Sequence, residues 1–211
     1  MRCSSKKVHF DNYAFNIYED VYDPAEDSFL FAENLEIKKG EQVLDLGTGC
    51  GLLGILVAKK AERVIAVDFN PSAIRCAKEN SVLNDLRSKI DFVQASLFTA
   101  LNSNMKFDLI LFNAPYLPSK RGEAESWIGR AWAGGINGRE VVDQFIFEAP
   151  SHLKFHGRIL LMQSTLTGVE ETIRKFIKQG FKAHVKAEQK LPFFETLTLI
   201  EATVEVEKET I

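Results

Sequence analysis

The stretch that decides the fold is Asp45-Leu46-Gly47-Thr48-Gly49-Cys50-Gly51, which follows an apolar strand and leads into the helix start Leu52-Leu53-Gly54-Ile55. Glycines here allow a tight turn and let a ligand lie against bare backbone at the helix N-terminus. Asp68 ends the next apolar run about 20 residues later, the spacing of an acid that binds ribose hydroxyls. The stretch therefore predicts a nucleotide-type ligand at the carboxyl end of a parallel sheet.

Short apolar runs alternate with helical patterns from residue 42 to about 180, which is typical of βαβ units around a parallel sheet. The predicted parallel strands are 42–46, 63–68, 90–94, 108–112 and 158–163. Segments 182–188 and 196–206 then follow each other with only a Pro-containing loop between them, which predicts an antiparallel hairpin. The pattern predicts an α/β fold: a Rossmann-like, seven-stranded, mostly parallel sheet with a C-terminal hairpin and helices on both faces.

The length and composition fit one domain. The chain has 211 residues, of which 45% are hydrophobic, enough for one well-buried core. We expect a single domain over 1–211, in which 1–40 forms an N-terminal helical extension with a helix over about 24–35. Helices are also predicted from Pro71, after the capping Asn70, and from Val169, where the apolar period ends at Gly180.

Charge and cysteine content argue against several classes of protein. With 26 Lys and Arg against 29 Asp and Glu, the formal net charge is -3, which gives no general attraction to nucleic acid or an acidic membrane. Cys3, Cys50 and Cys76 have no CxxC spacing, and the histidines are scattered, so neither a disulfide framework nor a metal site is predicted. The N-terminus lacks the apolar core of a signal peptide, and no apolar run approaches about 20 residues, so we expect a cytoplasmic protein.

The glycine loop admits two ligands. Gly49-Cys50-Gly51-Leu52-Leu53-Gly54 satisfies the GxGxxG pattern of dinucleotide-binding dehydrogenases. However, Asp45 lies where the pyrophosphate of a dinucleotide would come close, and its carboxylate would repel phosphate while attracting an ammonium group. S-adenosylmethionine carries that ammonium, and its ribose hydroxyls suit Asp68. The sequence therefore favours S-adenosylmethionine, with a capping role as the alternative reason for Asp45.

The tetrapeptide Asn113-Ala114-Pro115-Tyr116 directly follows the apolar run 109–112. A strand that ends this way presents a side-chain amide oxygen and a backbone carbonyl side by side, next to an aromatic face. Both oxygens can accept from the N–H bonds of a planar NH2 group while the ring packs on its plane. The alternative interpretation is a strand that ends in a proline turn. We predict that these four residues form the catalytic acceptor site.

Together, the glycine loop, Asp68, Ser96-Leu97-Phe98 and Asn113-Ala114-Pro115-Tyr116 resemble a class I S-adenosylmethionine-dependent methyltransferase. More narrowly, the chain resembles the HemK-type glutamine N5-methyltransferases, in the eukaryotic and archaeal branch that modifies class I translation release factors. Two further segments carry this resemblance, 21–30 (VYDPAEDSFL) and 132–140 (WAGGINGRE), and it spans residues 21 to about 165.

The resemblance implies S-adenosylmethionine as the cofactor and S-adenosylhomocysteine as the product. Ser28 would contact the methionine end of the cofactor, Asp68 would hold the ribose, and Ser96 with Leu97 would meet the adenine. Asn113 and the backbone at Ala114 and Pro115 would hold the target amide. The full predicted cofactor site is Tyr22, Ser28, Asp45, Gly47, Thr48, Gly49, Gly51, Asp68, Asn70, Ser96, Leu97 and Asn113.

The chain departs from the family at two of these positions. Ala114 stands where the family has Pro, which leaves the asparagine and the backbone carbonyl in place but loosens the turn. Ser96 stands where an Asp usually accepts from the adenine amino group, and a hydroxyl is a weaker acceptor. We therefore expect lower cofactor affinity.

The resemblance also implies two partners: a class I release factor whose Gly-Gly-Gln loop carries the acceptor glutamine, and a small zinc-binding activator subunit. The apolar strand 90–93 is expected at an edge of the sheet, where it invites strand addition. The segment 117–137, with its two tryptophans and no clear period, is predicted to be a substrate loop. The alternatives are methylation of adenine in nucleic acid or of protein lysine, and a noncatalytic binding module that retains the fold.

Overall fold

The computed structural model describes residues 6–120 and 122–204. A seven-stranded sheet forms its centre, and a separate two-stranded hairpin lies near the N-terminus. In chain order the elements are β1 (Lys6–Phe10), β2 (Tyr13–Ile17), α1 (Glu26–Glu33), β3 (Gln42–Leu46), α2 (Leu52–Ala58), β4 (Arg63–Asp68), α3 (Pro71–Leu83), β5 (Ile90–Gln94), β6 (Phe107–Asn113), α4 (Trp127–Trp132), α5 (Glu140–Glu148), β7 (Leu153–Ser164), α6 (Val169–Lys178), β8 (Phe181–Lys190) and β9 (Thr196–Val204).

The strands of the large sheet have the order β5-β4-β3-β6-β7-β9-β8. Strands β3 to β7 pair in parallel, whereas β9 runs antiparallel between β7 and β8. The predicted α/β fold, with its C-terminal antiparallel hairpin, is therefore confirmed. Residues 205 and 206, which end the last predicted strand, lie outside the described residues.

The strand order reverses at β3, because β4 lies on one side of this strand and β6 on the other. In open α/β sheets, ligands bind outside the carboxyl ends of the strands at such a point. Leu46 pairs with Val67 on one side and with Phe112 on the other. These registers bring the glycine loop, Asp68 and Asn113 to one place, so the topology of the chain assembles the three motifs.

Two helices begin or end as the sequence predicts. The Asn70 side chain accepts from the backbone N–H of Ser72 at 2.8 Å, and Pro71 occupies the first position of α3. Beyond α6, Gly180 has a φ of 82°, a left-handed conformation that favours glycine after a helix. Within residues 6–120 and 122–204, the helices are too short or too polar to cross a membrane.

The N-terminal segment differs from the predicted helical extension, because residues 6–17 form the antiparallel hairpin of β1 and β2 ahead of α1. Val8, Phe15 and Ile17 are buried while their neighbours are more exposed, and this alternation favours strands. The helix expected over about 24–35 is present as α1. The prediction missed the hairpin because its apolar positions are few and stand among lysines and other polar residues.

Two asparagines of α3 tie this hairpin to the main body. Asn80 accepts from the backbone N–H of Asn16 at 2.8 Å and donates to the carbonyl of the same residue at 3.0 Å. Asn84 makes the equivalent pair of bonds to Ala14, at 3.1 and 2.8 Å. The amides thus take the place of a neighbouring strand along β2, and they fix the chain that leads into α1.

The described residues of the segment 117–137, which exclude residue 121, contain regular structure that the sequence does not indicate. The segment contains α4, and Leu117 donates its N–H to the Trp132 carbonyl at 3.0 Å while accepting from Gly134 at 2.8 Å. The buried Arg139 follows the segment and donates to two backbone carbonyls of the turn between β7 and α6. The segment therefore forms a closed loop that is anchored at both ends.

Candidate active site

The point where the strand order reverses opens into a cavity of about 370 Å³. The predicted site residues other than Gly51 line this cavity. They are Tyr22, Ser28, Asp45, Gly47, Thr48, Gly49, Asp68, Asn70, Ser96, Leu97, Asn113, Ala114, Pro115 and Tyr116. Gly51 instead faces α3, where a Cβ at this position would lie 3.0 Å from the Cβ of Ala77. Its role is to let the loop pack against that helix.

The glycine loop reaches from β3 across to β4. Gly47 and Gly49 have φ values of 62° and 56°, in the left-handed region that other residues rarely adopt. The backbone N–H of Gly49 donates to Oδ2 of Asp68 at 2.9 Å, and that of Thr48 donates to the Val67 carbonyl at 3.0 Å. The loop therefore lines the cavity with its backbone, and its hydrogen bonds to residues of β4 hold it in place.

Asp45 is buried at the end of β3 with 1% of its surface exposed. Its Oδ2 accepts from Oγ1 of Thr48 at 2.6 Å and from the backbone N–H of Gly54 at 3.0 Å. Burial raises the pKa of Asp45 to about 7, although these two hydrogen bonds act in the opposite direction. The contact with Gly54 is the capping role considered from the sequence, and Asp45 also lies on the cavity wall.

Asp68 and Asn70 connect the cavity to α3 and to the N-terminal segment. The two oxygens of Asp68 accept from the backbone N–H groups of Asn70 and Gly49, and burial raises its pKa. The Asn70 side chain caps α3 with its oxygen and donates from Nδ2 to the Asp20 carbonyl at 2.7 Å. Asn70 thus has a structural role in addition to its place on the cavity wall.

Two aromatic side chains pack together on the cavity wall. The rings of Phe69 and Trp127 have their centroids 5.5 Å apart, and both residues line the cavity, as do Ser96 and Leu97. The guanidinium of Arg130 lies over the Trp127 ring, 5.2 Å from its centroid. Phe69 was not among the predicted site residues, although its position directly after Asp68 was a signal. Trp127 was assigned only to the predicted substrate loop.

The buried carboxylate of Asp27 contacts both ends of the tetrapeptide 113–116, which the sequence predicts to be the acceptor site and which is called the acceptor tetrapeptide below. Oδ2 of Asp27 accepts from Nδ2 of Asn113 at 3.1 Å and from the hydroxyl of Tyr116 at 3.3 Å. Nδ2 of Asn113 also lies 3.3 Å from Oγ of Ser28. Oδ1 of Asn113 is buried and has no hydrogen-bond partner among the described residues. Asp27 was not predicted as a site residue, because an acid in the first turn of a helix usually has a purely structural role.

Two tyrosines on the cavity wall stay protonated. Burial, followed by the nearby charge of Asp27, raises the pKa of both Tyr22 and Tyr116. Each hydroxyl donates to a different oxygen of that carboxylate. Near neutral pH these hydroxyls are therefore fixed hydrogen-bond donors, which leaves them unsuited to act as bases.

The charges of the cavity fit a cationic ligand that carries hydroxyls. Among its described lining residues, Asp27, Asp45 and Asp68 are acidic, and Arg130 is the basic one. This set favours an ammonium or sulfonium group and disfavours the pyrophosphate of a dinucleotide. Within 6–120 and 122–204, no group of three or more His, Cys, Asp or Glu side chains is placed to hold a metal ion.

Known proteins are similar to this chain in both sequence and fold. The family "Methyltransferase small domain" matches residues 19–129. MJ0928 of Methanocaldococcus jannaschii, provisionally named a protein N5-glutamine methyltransferase, is 42% identical over 91% of this chain and 96% of its own length. Methyltransferase HEMK2 of Mus musculus is 33% identical over 78% of this chain and 81% of its own.

In the Mtq2-Trm112 complex of E. cuniculi, described as responsible for methylation of the termination factor eRF1, one chain superposes with a TM-score of 0.68. That chain is 24% identical, and the match covers 88% of the present chain and 99% of that one.

The fold and the site define a Rossmann-like methyltransferase. The chain belongs to the methyltransferase small-domain family, in the HemK-type group of protein glutamine methyltransferases. The rival interpretation of the glycine loop as part of a dehydrogenase is thereby excluded.

Proposed function

We propose that this enzyme transfers a methyl group from S-adenosylmethionine to N5 of a glutamine side chain, in the Gly-Gly-Gln loop of a class I release factor. S-adenosylhomocysteine is the second product. The observation that carries the proposal is the buried Oδ1 of Asn113 on the cavity wall, which has no hydrogen-bond partner in the part of the chain that the structure describes. An unsatisfied buried acceptor costs about 1–3 kcal/mol, and the N–H of a bound amide would satisfy it. The eRF1 methylation ascribed to Mtq2-Trm112 supports this choice of acceptor protein.

The cavity residues account for the handling of both reactants. Asp45 and the loop backbone would hold the cationic methionine end of the cofactor with Ser28, and Asp68 would accept from the ribose. Phe69 would pack against the adenine. When bound, S-adenosylmethionine supplies an electrophilic methyl group on a positively charged sulfur. The cavity carboxylates of Asp45 and Asp68 favour that positive charge.

On the acceptor side, Oδ1 of Asn113 and the Ala114 carbonyl would each accept one N–H of the target amide. This arrangement directs the nitrogen lone pair toward the cofactor side of the cavity, while Tyr116 packs on the amide plane. A strong base is unnecessary, because the proton can leave after the methyl group has arrived. Alignment of two reactants in one site can lower the activation free energy by about 7–11 kcal/mol.

The proposal is tested with labelled S-adenosylmethionine and a recombinant release factor, followed by mass spectrometry of the Gly-Gly-Gln peptide. We expect one methyl group on the glutamine, and none when that glutamine is changed to glutamate, which lacks the NH2 group. Asn113→Ala should lower turnover by about 10²-fold or more. Its cofactor affinity should stay within a few-fold of that of the unmodified chain. Labelling of duplex DNA or of protein lysine, with none of the release factor, would refute the assignment. Translation termination takes place in the cytoplasm, which is the location we propose.

We also propose that a small zinc-binding activator pairs with this chain along β5. This strand is an edge of the large sheet, as expected from the sequence, and edge strands accept further strands. Mtq2 forms a complex with Trm112, which supports a partner of this kind. The chain purified alone should be weakly active or poorly soluble. A stable, fully active monomer in sedimentation experiments would contradict the need for a partner.

A further inference from the structure

Asp27 links the start of α1 to the end of β6, two elements that are far apart in the chain. Its Oδ1 accepts from the backbone N–H of Ser28 at 2.6 Å and from the hydroxyls of Ser28 and Tyr22, both at 3.1 Å. Its Oδ2 accepts from Asn113 and Tyr116. The carboxylate is 6% exposed, so water competes little for these bonds. The contacts of Oδ1 are usual for an acid at a helix start, whereas those of Oδ2 are made to the acceptor tetrapeptide.

The orientation of the Asn113 amide decides what the cavity can hold. With Oδ1 free, the site accepts hydrogen bonds and suits an NH2 group, whereas an amide turned by 180° would present its own NH2 group. Two facing NH2 groups cannot hydrogen-bond. A carboxylate has no donor, so the side of Asn113 that faces Asp27 must be Nδ2, and Oδ1 is left for the ligand.

We propose that Asp27 is a positioning residue that sets the orientation of the Asn113 amide and so makes the site selective for NH2 acceptors. The inference rests on the proposed function, because it assigns the freed oxygen to the target amide. Asp27 acts through Asn113 and takes no part in the transfer itself. The Tyr116 hydroxyl donates to the same oxygen, which fixes the last residue of the tetrapeptide relative to the first.

Asp27→Asn should reverse the orientation of the Asn113 amide. The backbone N–H of Ser28 still requires an oxygen, so the new amide would turn its NH2 group toward Asn113. Asn113 would then turn its oxygen to residue 27 and present its NH2 group to the acceptor. We expect kcat to fall by about 10²-fold, with the KM for S-adenosylmethionine within a few-fold. Glu26→Gln is the matched control, since it removes an exposed charge from the same turn of α1 and should leave kcat unchanged.

Exchanging the side chains of residues 27 and 113 tests whether lost activity comes from the amide orientation or from general structural damage. In Asn113→Asp alone, two carboxylates face each other, which is repulsive. In Asp27→Asn combined with Asn113→Asp, the new asparagine donates to one oxygen of the new aspartate and leaves the other oxygen for the acceptor. We expect the double variant to be at least about tenfold more active than either single variant. A double variant no better than the poorer single variant would overturn the proposal, as would an Asp27→Asn enzyme with normal kcat.

A second measurement does not depend on methyl transfer. In protein labelled with ¹⁵N-asparagine, the Nδ2 protons of Asn113 should exchange slowly with solvent, and Asp27→Asn should shift their resonances and speed the exchange. Glu26→Gln should do neither. If the resonances respond as expected but the release factor is not methylated, the orientation holds and the proposed acceptor is wrong. If Asp27→Asn leaves the Asn113 resonances unchanged, the orientation role is wrong whatever the acceptor.

Discussion

Burial raises the pKa of Asp45 from an ordinary 3.8 to about 7, against the opposing effect of its hydrogen bonds from Thr48 and Gly54. The folded chain therefore binds this proton more tightly than the unfolded chain does. Its contribution to stability is most favourable at low pH and is lost as the pH rises through the interval between these two pKa values. A buried charge at this position must be offset by something else, and a cationic ligand is suited to that.

The pH dependence of cofactor binding follows from this carboxyl group. Because the positive charge of S-adenosylmethionine favours ionised Asp45, affinity should rise by up to about tenfold per pH unit as the pH approaches 7 from below. Calorimetry in buffers of different ionisation enthalpy should detect the released proton. Asp45→Asn should bind more weakly and with a flatter pH profile. An affinity of the unmodified chain that is constant between about pH 5.5 and 8 would contradict the expected coupling.

For some predicted site residues, the local pattern of the sequence carries enough signal to bring them to one cavity. Asp68 and Asn113 end apolar strands, Asp45 is the last residue but one of another, and all three line the cavity. Asp27 was missed because its partners Asn113 and Tyr116 lie in another part of the chain. A pairing between α1 and β6 depends on tertiary packing that no local pattern encodes.

At the scale of elements, the two tryptophans of α4, which lies within the predicted substrate loop, contact two different parts of the cavity wall. Trp127 packs against Phe69 on the cavity wall, whereas Trp132 bonds through its carbonyl to Leu117, directly after the acceptor tetrapeptide. The loop therefore borders both the proposed cofactor side and the acceptor side. This double contact was not evident from the sequence, since the helix is short and has no apolar period.

Trp127 should report cofactor binding, because adenine would lie beside its ring. The chain has two tryptophans, so each single replacement leaves one fluorescent reporter. We expect S-adenosylhomocysteine to change the fluorescence of Trp132→Phe, and to change that of Trp127→Phe far less. Trp127→Ala should weaken cofactor binding by about 1–3 kcal/mol, the usual effect of removing an aromatic ring that stacks on a base. Equal fluorescence responses from the two single-tryptophan variants would place the adenine elsewhere.

At the scale of the whole molecule, the cavity lies at one end of the large sheet and a buried ion pair at the other. The cavity lies at the carboxyl ends of the strands, where Oδ1 of Asn113 has no hydrogen-bond partner within 6–120 and 122–204. At the amino ends, Arg158 and Glu41 form a buried ion pair with Nη1 and Oε1 2.5 Å apart. Arg158 also donates to the Glu36 carbonyl, so the pair joins β7 to the segment before β3. The cavity thus lies at one end of the sheet, and this buried ion pair lies at the other.

Removing the negative charge of this ion pair should lower the free energy of unfolding without changing cofactor affinity. Glu41→Gln leaves Arg158 buried without its counter-charge, which typically costs about 3–5 kcal/mol. We expect a lower urea midpoint with unchanged m-value, and a cofactor affinity like that of the unmodified chain at a temperature where the variant stays folded. Glu62→Gln, which removes an exposed charge from the same end of the sheet, should change the free energy of unfolding by less than about 0.5 kcal/mol. If Glu41→Gln weakened cofactor binding as strongly as it lowered stability, the two ends of the sheet would be coupled and not independent.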